Sequence, residues 1–150
     1  MGAPDHLIAA GALHDVIEKT RALTSDLLER FESRIVALVM AVSEDERIAD
    51  YATRKAALRD QVADAGEEAL MLFAADKISK VRELRLDPAE VSAAIPHSAT
   101  ETRLRTRQLA HYQRCLALLQ EHLPESPLVA QLRAELNASA LRNEQFRERV

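Results

Sequence analysis

The residues able to do chemistry fall in two short segments of this 150-residue chain. His14 and Asp15 stand together near the start, with Glu18 four residues after the histidine and three after the aspartate. On a helix of 3.6 residues per turn, that spacing lets all three reach one side. Asp76 adds a further carboxylate, at the point where the apolar run Leu70-Met71-Leu72-Phe73-Ala74-Ala75 passes into Asp76-Lys77. A carboxylate entering a buried helix is costly unless it is paired or binds a metal. Imidazole and carboxylates together make a nitrogen–oxygen ligand set suited to Mn²⁺, Fe²⁺, Mg²⁺ or Zn²⁺, without choosing among them. At this level two plainer accounts stay open: His14 as a buried histidine hydrogen-bonded to a neighbour, and Asp76 as the partner of a buried arginine.

The elements that must hold these groups are helices. Apolar residues make up 47% and charged residues 29%, a balance that excludes a disordered chain and predicts one folded domain. Two Tyr, three Phe and no Trp leave an aliphatic core, and three Gly with five Pro supply few of the turns a sheet would need. Ala, Leu, Glu and Arg favour helix. A first helix is predicted from Pro4-Asp5 to about Thr20. A second starts at Thr24-Ser25-Asp26 and runs through Leu27, Leu28, Phe31, Ile35, Leu38, Val39 and Val42, which recur at spacings of three and four. A third covers about Ile48 to Ala65 and stops at Gly66; a fourth covers about Glu67 to Leu86. After a loop, a long helix from about Thr100 to Glu121 turns Leu104, Leu109, Tyr112, Leu116 and Leu119 inward. Ser126-Pro127 starts the last helix, with Leu128, Leu132 and Leu136 on its apolar side and fraying expected after Asn137.

The net charge of −4 and a pI near 5.7 argue against nucleic acid as a partner. Arg103, Arg105 and Arg107, at every second position, spread around a helix as a solvated face rather than forming a phosphate-binding stripe. Cys115, the single cysteine, reads as a small core residue in a reducing compartment. His97, His111 and His122 read as loop or surface residues. No apolar run approaches the roughly 18 residues of a membrane span, and no leader is evident, so no membrane partner and a cytoplasmic location are expected.

The segments Leu13-His14-Asp15-Val16-Ile17-Glu18-Lys19-Thr20 and Ala75-Asp76-Lys77-Ile78-Ser79, with the tail from His111-Tyr112 to Leu128-Val129, resemble the HD-domain phosphohydrolases. The closest branch is the guanosine polyphosphate (ppGpp) pyrophosphohydrolases, meaning the hydrolase domain of RelA/SpoT proteins and the small stand-alone alarmone hydrolases. The resemblance is dense from Leu7 to Arg85 and thinner from Leu109 to Leu136. It implies an all-α, HD-domain-like bundle of about six to seven helices, with residues 1–86 as the core, 87–100 as a loop and 101–150 as C-terminal helices. It also implies one divalent metal, typically Mn²⁺, held by His14, Asp15 and Asp76. Glu18 and Lys19 then occupy the two positions that handle the attacking water, while Lys77, Lys80 and Tyr112 meet a nucleotide that carries a pyrophosphate group. Such a site hydrolyses a diphosphate through water activated by the metal and oriented by a carboxylate.

Three departures from the family pattern matter. Lys19 stands where the family usually has Asp, and Lys80 where it commonly has Asn. The family's first histidine ligand lies well upstream of the HD pair, where this chain has only thirteen residues; His6 falls on the same helix, two turns before His14. The expectation is therefore an N-terminally truncated HD domain whose uncovered apolar surface favours a homo-oligomer. The alternative to an enzyme is a catalytically inactive HD remnant serving as a helical binding or oligomerisation module.

Overall fold

Seven helices and no strand form among the residues described by the computed structural model, 4–19, 24–86 and 99–147. They are α1 (Asp5–Lys19), α2 (Thr24–Arg30), α3 (Ser33–Val42), α4 (Tyr51–Ala65), α5 (Glu67–Leu86), α6 (Ala99–His122) and α7 (Pro127–Arg147). The chain divides into two compact units, Met1–Phe73 and Ala74–Val150, so the boundary falls within α5.

In the first unit, α1 starts on the carbonyl of Pro4, which accepts from the Leu7 and Ile8 amides at 3.0 and 3.2 Å. Leu7, Ala10 and His14 are buried and share one stripe at spacings of three and four. Helix α1 packs on α3, whose Val36, Leu38, Val39 and Val42 are buried. The helix predicted to run unbroken from Thr24 to Val42 is interrupted at Phe31 and Glu32. Glu32 is extended (φ −59°, ψ 142°) and restarts the chain as the N-cap of α3, its carbonyl accepting from the Val36 amide at 3.2 Å. An apolar pattern at three and four marks a face but not a bend. Here the burial of the α3 stripe outweighs one continuous turn of backbone, and Phe31 is left exposed.

The C-terminal end of α3 is closed by side chains. Ser43 Oγ donates to the Val39 carbonyl at 2.7 Å, and Gln61 Nε2 of α4 lies 2.8–3.0 Å from the carbonyls of Met40, Ala41 and Ser43. These contacts satisfy carbonyls that a helix end leaves without intrahelical donors. Helix α4 begins later than the predicted Ile48, because Asp50 is a better cap. Its carboxylate accepts from the Thr53 amide at 2.8 Å and the Thr53 hydroxyl at 2.7 Å. Glu44, in the connection between α3 and α4, is held by Arg54 (Nε to Oε2, 2.8 Å) and by Lys55.

Gly66 ends α4 as predicted, at φ 96° and ψ −173°, and its carbonyl accepts from the Leu70 amide at 3.1 Å. One residue thus closes α4 and opens α5. Glu68, in the first turn of α5, joins three helices: Arg34 of α3 grips its carboxylate with Nη2 at 2.8 and 2.9 Å, and His6 of α1 lies 2.6 Å from Oε1. Ala69, Leu70, Leu72 and Phe73 of α5 complete the core of this unit.

In the second unit α6 packs on α7, with Tyr112, Cys115, Leu116 and Leu119 buried on the first helix and Val129, Leu132 and Leu136 on the second. Ser126 opens α7 as predicted, its carbonyl accepting from Val129 and Ala130 at 3.1 and 3.2 Å. The helix does not fray after Asn137 but continues to Arg147, with Ser139 buried and bonded through Oγ to the Glu135 carbonyl at 3.0 Å. Arg82 of α5 reaches Glu135 at 2.7 Å. Arg105 departs from the expected solvated face: its Nη2 donates to the Leu84 carbonyl, in the last turn of α5, at 3.0 Å. A cation at a helix C-terminus meets both orphan carbonyls and the negative end of the helix dipole. Leu104, expected inward, is 47% exposed. Of the loop predicted at 87–100, residues 87–98 lie outside the described residues, His97 with them, and Ala99 and Thr100 already belong to α6. Among the described residues no helix is long and apolar enough to cross a membrane.

Candidate functional site

The first unit contributes His14. Its ring is carried into the interior by the α1 stripe that Leu7 and Ala10 begin, and only 3% of the residue is exposed. Burial of an imidazole nitrogen demands a polar partner, which is the condition a ligand position also requires. Asp15, Glu18 and Lys19 follow on α1. Their backbone is helical, and their side chains lie outside the described residues.

The second unit contributes Asp76, Lys77 and Lys80, all on α5. Here the structure adds a feature that the sequence left open. Phe73, Lys77 and Val81 share a register at intervals of four, and all three are buried, so the lysine rather than the aspartate continues the deepest stripe. Lys77 Nζ lies 2.6 Å from Asp76 Oδ2. The expected partners of Asp76 were an arginine or a metal; a partner that it has is the next residue in the chain. Adjacent residues on a helix do not face each other, but the four-carbon stem of lysine lets the ammonium fold back. Lys80, one turn on, is half-buried.

Tyr112 of α6 is buried, with its ring 5.5 Å from that of His111 and tilted by 47°. His111 is itself buried, not on the surface as its polarity suggested, and its Nε2 lies 3.5 Å from Cys115 Sγ. The physical reason is register: positions 111, 115 and 119 share a face, and Cys115 and Leu119 are fully buried. That spacing was present in the sequence. Cys115 is a core residue, as expected.

The titration behaviour of Glu68 follows from its partners. The hydrogen bond from His6 and then that from Arg34 hold its carboxyl below the usual glutamate range. This is a structural junction rather than a reactive group, because every contact joins one helix to another.

The imidazole nitrogen of His14 in the first unit and the carboxylate oxygens of Asp76 in the second are each donor types whose chemistry suits a divalent cation such as Mn²⁺. Among the described residues no three His, Cys, Asp or Glu side chains gather at metal-holding distance; Asp15 and Glu18 are not among the side chains described.

The helices share an all-α, HD-like fold with two solved structures. It is seen in the lmo0812 protein of Listeria monocytogenes EGD-e, with a TM-score of 0.72 and 20% identity over 90% of this chain and 83% of that one. It is seen again in a metazoan ortholog of SpoT that hydrolyzes ppGpp and plays a role in starvation responses. There the TM-score is 0.72 and the identity 21%, over 93% of this chain and 72% of that one. No family model and no curated protein matches the sequence.

Proposed function

We propose that the chain is a metal-dependent phosphohydrolase of the HD class, acting on the pyrophosphate group of a (p)ppGpp-like nucleotide. What supports this reading most is the fold shared with a ppGpp-hydrolysing SpoT ortholog, in a chain that carries His14-Asp15 on α1 and Ala75-Asp76-Lys77 on α5. In this reading His14, Asp15 and Asp76 hold a divalent cation, most simply Mn²⁺. That cation supplies Lewis-acid activation of water and neutralises charge on the phosphoryl oxygens. Glu18 orients the water and accepts its proton, and Lys19, next to it, adds a positive charge where the family pattern has a carboxylate. Lys80 and Tyr112 meet the nucleotide. Lys77 is already engaged by Asp76 and is the lesser candidate for a phosphate contact.

A second reading has one observation in its favour. The Asp76 carboxylate has an ammonium at 2.6 Å, so its charge is compensated without any metal. That suits an inactive HD remnant acting as a binding module, in the form of a homo-oligomer.

The test is release of pyrophosphate from ppGpp by purified protein with Mn²⁺, beside an Asp76→Ala control. Hydrolysis by the wild type and none by the control supports the enzyme. No release above the control sinks the enzyme reading, and light scattering at micromolar concentration then decides whether the chain is the oligomeric module.

A further inference from the structure

Lys77 is the charge in the second unit that its sequence position explains least. Its side chain is 6% exposed against 12% for Asp76, it lies in register with Phe73 and Val81, and its Nζ is 2.6 Å from Asp76 Oδ2. An ammonium taken that far out of water is tolerated only where an anion lies close to it, and Asp76 supplies one. A lysine left to find solvent would have placed its stem along the surface and its head in water. This one does the reverse.

We propose that Lys77 is a built-in counter-ion that competes with a divalent cation for the Asp76 carboxylate and so sets how readily the site takes up metal. The inference rests on the reading above that Asp76 is a metal ligand. A carboxylate offers two oxygens. A cation drawn to either oxygen would stand a few ångströms from the ammonium on Oδ2, in a poorly solvated place where like charges repel strongly. Lys77 would thus weaken cation binding, and its removal would take one positive partner from a half-buried carboxylate. Lys77 is thus a tuning residue, acting through Asp76 and not on the substrate.

The experiment uses the full chain and Mn²⁺ alone, with affinity read by titration calorimetry and stability by thermal melting in EDTA and in Mn²⁺. Lys77→Met should bind Mn²⁺ at least about tenfold more tightly than the wild type, because the repelling charge is gone. It should also melt lower than the wild type in EDTA and recover on addition of Mn²⁺, while the wild type moves less. Asp76→Asn should bind Mn²⁺ most weakly of the set. Asp76→Asn/Lys77→Met, which removes both charges, should melt near the wild type, assigning the loss in Lys77→Met to the exposed charge imbalance rather than to a packing fault. If Lys77→Met binds Mn²⁺ no more tightly while Asp76→Asn loses binding, the competition is refuted and the metal site stands. If Asp76→Asn binds Mn²⁺ as the wild type does, or nothing binds it, the metal reading itself falls and the proposal with it. A Lys77→Met protein that stays unfolded in saturating Mn²⁺ also overturns the proposal.

Discussion

Replacing Gly66 by alanine should destabilise the chain even though the new methyl group would meet no atom within 4 Å. The cost is in the backbone. At φ 96° and ψ −173° Gly66 occupies a region that is almost exclusive to glycine. Forcing a residue with a Cβ into it costs about 1–3 kcal/mol, offset by the about 0.4–1 kcal/mol that alanine removes from the freedom of the unfolded chain. The net loss is therefore about 1–2 kcal/mol, or a fall in Tm of roughly 2–8 °C for a domain of this size. Relaxation is hindered because the same residue accepts the Leu70 amide at 3.1 Å and so begins α5, the helix that carries Asp76. Gly11→Ala makes the internal control. Gly11 lies inside α1, where an added Cβ would come 3.4 Å from Leu72 Cδ1, an ordinary contact. Alanine in a helix interior is favoured over glycine by about 0.8–1 kcal/mol, so this variant should match or exceed the wild type. Urea and thermal unfolding of the three proteins read both signs. A Gly66→Ala protein that melts at or above the wild type would refute the backbone argument, and a Gly11→Ala protein that falls by more than the other would show that the α1–α5 contact is tighter than its geometry implies.

Glu68 should make stability depend on acidity. Its carboxyl is held below the ordinary value of about 4.3, so the junction contributes in full above that pH and is lost as pH falls through the lower folded value. The gap in denaturation midpoint between wild type and Glu68→Gln should therefore narrow on acidification, and a gap that stays constant from neutral to strongly acidic pH rules this out. Phe73→Ala, at a position with no exposed surface, should cost about 3–5 kcal/mol in equilibrium unfolding; a cost under about 1 kcal/mol would mean that the site collapses around the missing ring.

How much of this was legible in the sequence depends on whether the cause was local. The ends of α4 and α7 at Gly66 and Ser126-Pro127, and the span of α5, were legible, because a positive φ, a cap and a proline at the first turn act on their own residues. The positions of His14 and Asp76 on apolar helical segments were legible for the same reason. The break at Phe31–Glu32 was not, since neither residue is a breaker and the bend serves the packing of α3 on α1. Nor was the continuation of α7 beyond Asn137, where a polar composition is overridden by the burial of Ser139.

For the candidate site the division is similar. Sequence alone determined which chemistry is on offer, because imidazole and carboxylate donors in helical register are a property of residue types and spacing. Tertiary structure decided their surroundings: that His14 is inside, that His111 is too, that Arg105 turns to the end of α5, and that Lys77 pairs with Asp76. Those outcomes depend on which faces are covered by distant parts of the chain, and coverage is not written at any single position.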